Sequence, residues 1–222
     1  MSARLHIGRR RQASGFSVIE LVLAVAMLAA LIGAVSSFQG RSRDQSQAWL
    51  AREKTESSAR RALDRIAGEL TGVGLTMLDP DPIGNLGAST LTYSRPESVS
   101  IAGVIVWANP SILTLELEPG EVDDGDDDDG DGLVDERRLV LTRDVGTPQQ
   151  TSVVICTAIG ELLQDEVADG VLDDNGNGLV DEEGFNVQRT GDLLTIRLTT
   201  QASGGPGQVI QATAETCVVL RN

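Results

Sequence analysis

The sequence contains few aromatic residues and few basic ones. Phe, Trp and Tyr make up 3% of its 222 residues, so a buried core has to be built mainly from Val, Leu, Ile and Ala. Its 18 Lys and Arg are outnumbered by 33 Asp and Glu, which gives a formal net charge of -15. Proteins that bind a nucleic-acid backbone need clustered positive charge, so this balance argues against nucleic acid as a partner.

Familiar catalytic motifs are also missing. The single histidine, His6, lies in the basic N-terminal segment, and there is no Ser-centred elbow, phosphate-cradling glycine loop or CxxC pair. Paired carboxylates occur only in two acidic stretches. We therefore predict that the protein is not an enzyme. An anchored envelope enzyme, the alternative, requires a cleft with acids of displaced pKa away from those stretches.

Cysteine is limited to Cys156 and Cys217, each within an apolar, β-branched run. In an exported domain, a single disulfide between two strands is expected from this pair. The alternative is two buried free thiols.

The long apolar run begins at Phe16 and ends at Phe38, and its 23 residues include one charge, Glu20, and no Pro. At 1.5 Å per helical residue it spans roughly the ~30 Å hydrocarbon core of a bilayer. A basic leader precedes it, with arginines at Arg4, Arg9, Arg10 and Arg11. The positive-inside rule then predicts a cytoplasmic leader, with everything after Phe38 on the far side of the membrane.

An ordinary secretory signal peptide is the alternative for this segment. Its cleavage would follow the small residues of Ala34-Val35-Ser36. The length of the apolar run and the presence of Glu20 argue against it, because a carboxylate inside a membrane segment is costly and usually functional.

The residues Gly15-Phe16-Ser17-Val18-Ile19-Glu20-Leu21 resemble the processing site of type IV prepilins and type II secretion pseudopilins. In that family a membrane-embedded aspartyl peptidase cuts after the glycine and methylates the new N-terminus. The resemblance implies that Gly15 precedes the cut, that Phe16 is the N-methylated mature N-terminus and that Glu20 is the acidic fifth mature residue. In a filament, the carboxylate of Glu20 would pair with the N-terminal ammonium of a neighbouring subunit, offsetting part of the desolvation of both charges.

From Asp44 to about Val73 the pattern stays helical. Apolar residues recur at three- and four-residue spacing, at Ala59, Ala62, Leu63, Ile66, Leu70 and Val73. Gly72 and Gly74, followed by Pro80 and Pro82, are expected to end the helix. Residues 58–70 also resemble helices of larger minor pilins and of the J-type pseudopilin.

Short β-rich runs separated by turn residues follow. The predicted strands are Thr90–Tyr93, Ser98–Trp107, Ile112–Leu117, Arg138–Thr142, Ser152–Thr157, Leu193–Thr199 and Thr213–Leu220. We expect an α+β fold in which a long N-terminal helix, transmembrane in its first half and amphipathic in its second, packs on an antiparallel sheet, as in the pilin ladle. The predicted segments are a leader (1–15), a polymerisation helix (16–38), an amphipathic helix (39–78) and a β-rich periplasmic domain (79–222) with acidic loops at 121–136 and 165–184.

Both acidic loops contain the same motif, 46 residues apart: residues 127–136 read DDDGDGLVDE and residues 173–182 read DDNGNGLVDE. Oxygen side chains at positions 1, 3, 5 and 9, with Gly at 6, are typical of most of an EF-hand Ca²⁺ loop, whose position 7 contributes a backbone carbonyl. The predicted ligands are Asp127, Asp129, Asp131, Leu133 and Asp135 in the first loop, and Asp173, Asn175, Asn177, Leu179 and Asp181 in the second. Hard oxygens without nearby His or Cys favour Ca²⁺, so up to two ions are expected.

The motif departs from an EF-hand at position 12, where Arg138 and Gly184 replace the bidentate Glu. Nearby acids are alternatives for closing the shell: Glu136, Glu182, Glu183, Asp123 and Asp169. The second loop carries less charge and should bind more weakly. A solvated acidic loop without an ion is the alternative for both.

Together these features predict a minor pilin or pseudopilin, stabilised by Ca²⁺, that takes part in assembly initiation or lies at the tip of a type IV pilus or type II secretion pseudopilus. Its expected partners are other pilin subunits, the prepilin peptidase and the bacterial inner membrane, which it would cross once with its C-terminal domain in the periplasm. The alternative function is a membrane-anchored or secreted Ca²⁺-binding adhesion module.

Overall fold

The computed structural model describes residues 17–81, 87–205 and 207–221. The chain divides into two units, Met1–Arg43 and Asp44–Asn222. The leader, with Gly15 and Phe16, lies outside the described residues.

A long, continuous helix, α1, spans Val18–Leu70. Its start is a capping box: the amide of Ile19 donates to the Ser17 hydroxyl (3.4 Å), and the Glu20 carboxylate accepts from the Ser17 amide (3.0 Å). Apolar side chains from Val18 to Phe38 are exposed. Of the described helices, α1 is the one long and apolar enough to cross a membrane, which confirms the prediction of a helix suited to a single-pass anchor near the N-terminus.

The helix ends at Leu70, short of the predicted boundary at residue 78. Gly72 has a φ of 91°, a left-handed conformation that commonly ends helices at glycine. The chain then forms a 3₁₀ turn at Leu75–Met77 before its first strand.

Within the unit Asp44–Asn222, one face of α1 is buried as the periodicity predicts. Its buried residues are Ala51, Thr55, Ala59, Ala62, Leu63, Ile66 and Leu70. Those from Ala59 onward share a core cluster with sheet residues such as Leu113, Leu141 and Ile196. Helix and sheet therefore bury a common aliphatic core, which confirms the α+β class.

Within the described residues, ten strands follow the helix: β1 (Leu78–Asp79), β2 (Leu91–Tyr93), β3 (Pro96–Val99), β4 (Ile105–Trp107), β5 (Ser111–Leu117), β6 (Arg137–Arg143), β7 (Thr151–Ile159), β8 (Phe185–Thr190), β9 (Leu193–Gly205) and β10 (Gln208–Val219). Eight form one antiparallel sheet in the order β1-β2-β5-β6-β7-β9-β10, with β8 also paired to β9. Strands β3 and β4 form a separate hairpin.

The hairpin corrects one strand prediction. Ser98–Trp107 was expected to be one strand, yet the chain reverses between β3 and β4. The amide of Ser100 donates to the Val104 carbonyl (2.8 Å), and Gly103, with φ 79°, completes the turn. Strand β8 was not predicted, because Phe185–Thr190 directly follows an acidic loop and ends in polar residues.

The disulfide prediction is wrong, since both cysteines are free thiols. Cys156 lies on β7 and Cys217 on β10, and β9 separates these strands in the sheet. Cys156 is buried, and burial raises the pKa of its thiol to about 11. Cys217 is exposed beside Thr195 on β9.

Candidate metal centre

The two acidic loops leave the sheet at neighbouring positions. The first connects β5 to β6 and the second connects β7 to β8. Each is closed at its base by a backbone hydrogen bond, from the amide of Glu118 to the carbonyl of Glu136 (3.0 Å) and from the amide of Leu163 to the carbonyl of Glu182 (2.9 Å). The sequence repeat is therefore also a structural repeat.

The three aspartates at positions 1, 3 and 5 of the first loop come together as predicted. Asp127, Asp129 and Asp131 each place a carboxylate oxygen within 4.8 Å of the others, a spacing that could hold a metal ion. All three are exposed. Backbone amides orient them: Gly130 donates to Asp127 (2.8 Å), and the amide of Asp131 donates to Asp129 (3.0 Å).

The second loop follows the same hydrogen-bond pattern with fewer charges. Asp173 accepts from the amides of Asn177 (3.0 Å) and Gly178 (2.8 Å), and the Asn177 side chain accepts from the amide of Leu179 (2.9 Å). Asn175 and Asn177 stand where the first loop has aspartates, so one carboxylate remains among positions 1, 3 and 5. At position 7 each loop has a buried leucine, Leu133 in the first and Leu179 in the second, and this side chain anchors the loop to the domain.

Asp135 and Asp181, the predicted ligands at position 9, bind the backbone of their own loops. Asp135 accepts from the amides of Asp124 (3.2 Å) and Gly125 (2.9 Å). Asp181 accepts from the equivalent amides of Asp169 and Gly170. Both have left-handed backbones, with φ of 49° and 51°. In this arrangement the two aspartates tie the start of each loop to its end.

Sequence reasoning missed a glutamate at the start of each loop. Glu121 accepts from the amides of Asp129 (3.1 Å) and Asp135 (3.2 Å). Glu166 accepts from those of Asn175 (3.2 Å) and Asp181 (3.3 Å). The signal was present, because Glu-Val-x-Asp-Gly occurs at 121–125 and again at 166–170. These two segments lie 45 residues apart, whereas the acidic motifs lie 46 apart, so the two repeats do not share one register.

Two further glutamates, Glu136 and Glu182, are 1% and 2% exposed. Burial, together with the charges of Asp131, Glu121 and Asp129, raises the pKa of Glu136 to about 7. Burial likewise raises the pKa of Glu166, helped by the charge of Glu182. In both loops, therefore, neighbouring acids disfavour each other's charged form.

The remaining candidates for closing the shell have other partners. Asp123 and Glu183 each lie 3.8 Å from Arg137, which thereby links the two loops. Asp169 accepts from the amides of Val171 (2.8 Å) and Leu172 (2.9 Å), which lowers the pKa of its carboxyl. Because these three acids already have partners, Glu136 and Glu182 are the favoured candidates for closing the shells.

The predicted processing and assembly residues lie apart from these loops along the chain. Gly15 and Phe16 fall outside the described residues, whereas Glu20 stands in the first turn of α1 as part of its capping box. Comparison of the chain with protein-family models, curated proteins and solved structures gives no match.

Proposed function

We propose that the protein is a minor pilin or pseudopilin, a structural subunit of a type IV pilus or type II secretion pseudopilus. The observation that carries the proposal is the helix start: an exposed apolar segment, Val18–Phe38, holds a single carboxylate, Glu20, directly after a Gly15-Phe16 processing motif. Apolar side chains on every face of a helix need either lipid or other helices around them.

In this proposal the apolar segment of α1 is surrounded first by lipid and later by the helices of other subunits. The basic leader and the apolar segment first hold the chain in the inner membrane, with the C-terminal domain in the periplasm. A prepilin peptidase then cuts after Gly15 and methylates Phe16. The freed helix packs among the helices of other subunits, where the Glu20 carboxylate meets a neighbour's N-terminal ammonium.

Within the α+β class, we propose that the more specific fold is the pilin-like ladle, and the packing of helix on sheet supports this. The second part of α1 buries one face under an antiparallel sheet, and its opposite face carries exposed charges such as Arg61 and Asp64. Two large loops on such a domain would hinder close lateral packing. A place at assembly initiation or at the tip suits this subunit better than a place as the bulk subunit.

We further propose that the acidic loops bind Ca²⁺ in a structural role. The oxygen-only donor set of Asp127, Asp129 and Asp131 suits a hard cation. Without one, ten acids within residues 121–136 repel one another. A bound ion would neutralise that charge and hold the loop in place.

Intact-mass analysis of the full chain from cells with an active prepilin peptidase tests the filament class. We expect a mass that begins at Phe16 and carries one methyl group. Gly15→Val should retain the leader, whereas Gly8→Val, a matched change within the leader, should be processed normally. A wild-type mass that begins near Ser37 would instead indicate a signal peptide and favour the secreted Ca²⁺-binding adhesion module, for which the paired loops are the supporting observation.

A further inference from the structure

The buried glutamates Glu136 and Glu182 have oxygen atoms without a hydrogen-bond partner among the described residues. In Glu136 this is Oε2, and in Glu182 it is both carboxylate oxygens. A buried carboxylate left unpaired is strongly destabilising, so such groups normally meet a donor or a cation. Both glutamates occupy the same place in the repeat, directly after Asp135 and Asp181. The buried, unpaired carboxylate is therefore a feature of the repeated loop and not of one loop alone.

The carboxylate of Glu136 lies among other carboxylates. One of its carboxylate oxygens lies within 4.8 Å of oxygens from Glu121 and Asp129, and Asp129 also belongs to the exposed group with Asp127 and Asp131. Asp129 therefore connects an outer group of acids to an inner, buried one. A spacing of 4.8 Å is about twice the 2.3–2.6 Å length of a Ca²⁺–oxygen bond, so one ion can bridge such oxygens.

The second loop repeats the inner arrangement. Glu166 holds the amides of Asn175 and Asp181 as Glu121 holds those of Asp129 and Asp135. Glu182 adds its charge to that of Glu166. The asparagines reduce the charge of the outer group, yet the buried glutamate is kept.

We infer that Glu136 and Glu182 are the ligands that close the two cation shells from inside the domain. This inference rests on the proposed binding of Ca²⁺ and names the residues that replace the absent position-12 glutamate. Each closing ligand stands at position 10 of its loop, Glu136 directly before β6 and Glu182 three residues before the start of β8. Because β6 and β8 belong to the core sheet, cation binding would fasten each loop to the most rigid part of the domain.

Ca²⁺ titration of the full-length chain in detergent, with native mass spectrometry to count bound ions, tests the inference. Glu136→Gln and Glu182→Gln remove one charge each and keep the side-chain shape. The matched controls are Asp126→Asn and Asp174→Asn, which remove the same charge from exposed positions of the same loops. Removing a group that merely orients a ligand weakens metal binding roughly ten- to a hundredfold, so loss of the ligand itself should cost at least tenfold in affinity.

Thermal unfolding separates ligation from simple misfolding. With a chelator present, Glu136→Gln should melt at or above the wild-type temperature, because it removes an uncompensated buried charge. With Ca²⁺ present it should melt below wild type, because one shell is incomplete. A purely structural role for the glutamate would shift the melting temperature in the same direction under both conditions.

The expected result is two bound ions for the wild type and both control variants, and one high-affinity ion for each glutamine variant. Equal binding by the glutamine and control variants would overturn the inference while leaving Ca²⁺ binding intact. A wild-type chain that binds no Ca²⁺ would overturn the inference and the Ca²⁺ proposal together. The filament proposal would be unaffected by either result, because the mature N-terminus tests it separately.

Discussion

At the scale of single residues, Glu20 has two explanations that act in different environments. Its carboxylate accepts from the Ser17 amide, a local role that any helix start could use. A filament would give it a second role, pairing with the N-terminus of a neighbour. Glutamine also serves in capping boxes, so Glu20→Gln keeps the first role and removes the charge that the second requires.

The cysteines show where residue-level inference from sequence ends. Both lie in β-branched runs, and that much is visible in the sequence. Whether they meet depends on strand order, and strand β9 lies between the two strands that hold them. Pairing of this kind is non-local, so no pattern within either run encodes it.

Thiol labelling checks this point. We expect the native protein, purified without reductant, to react rapidly with one equivalent of maleimide, at the exposed Cys217. Cys156 should react only after denaturation, since burial raises the pKa of its thiol to about 11 and blocks access. Cys217→Ser should abolish the native reaction. A wild-type protein that takes up no maleimide even in denaturant would instead contain the disulfide.

At the scale of elements, periodic segments were predictable and boundaries were less so. The buried face of α1 follows the spacing of Ala59, Leu63, Ile66 and Leu70, because helical geometry alone places them together. The split of Ser98–Trp107 into a hairpin depends on a turn at Gly103, and that glycine was outweighed by the β-rich residues around it.

The two acidic loops likewise combine features that the sequence predicts with features that it does not. The acidic motif and its repeat were visible, and the structure brings Asp127, Asp129 and Asp131 together. The contribution of Glu121 depends on hydrogen bonds to amides 8 and 14 residues away. Spacing rules drawn from a 12-residue loop do not extend that far upstream.

Substitution of the buried helix face tests how much the helix contributes to the domain. Ile66→Ala should lower the free energy of unfolding by about 2–5 kcal/mol, because Ile66 is 0% exposed in the core cluster. Leu50→Ala, an exposed leucine of the same helix, should change it by less than about 0.5 kcal/mol. Denaturant unfolding of the purified chain measures both. Similar effects at the two positions would contradict the packing described.

At the scale of the whole molecule, charge is the dominant feature. Of the 33 acidic residues, 19 lie in residues 121–136 and 161–183, and the formal net charge is -15. Self-repulsion on this scale destabilises a compact state. Bound divalent cations would remove part of it where it is most concentrated.

Removal of Ca²⁺ should therefore lower thermal stability. An ion present at a hundred times its Kd stabilises the folded state by about 2.7 kcal/mol per site, which corresponds to roughly 5–10 °C in Tm for a chain of this size. Melting curves with excess Ca²⁺ and with a chelator measure the difference, and Mg²⁺ serves as the ionic-strength control. Superimposable curves would contradict a structural role for Ca²⁺.

The proposed function requires α1 to pack among the helices of other subunits in a filament. Photo-cross-linking in cells, with the reactive side chain placed at the exposed position Leu28, tests this packing. We expect adducts with proteins that begin with a methylated residue and an apolar helix, and a marked loss of those adducts in Glu20→Gln. Adducts with lipid alone, or a pattern unchanged by Glu20→Gln, would contradict packing in a filament and leave the helix as a membrane anchor.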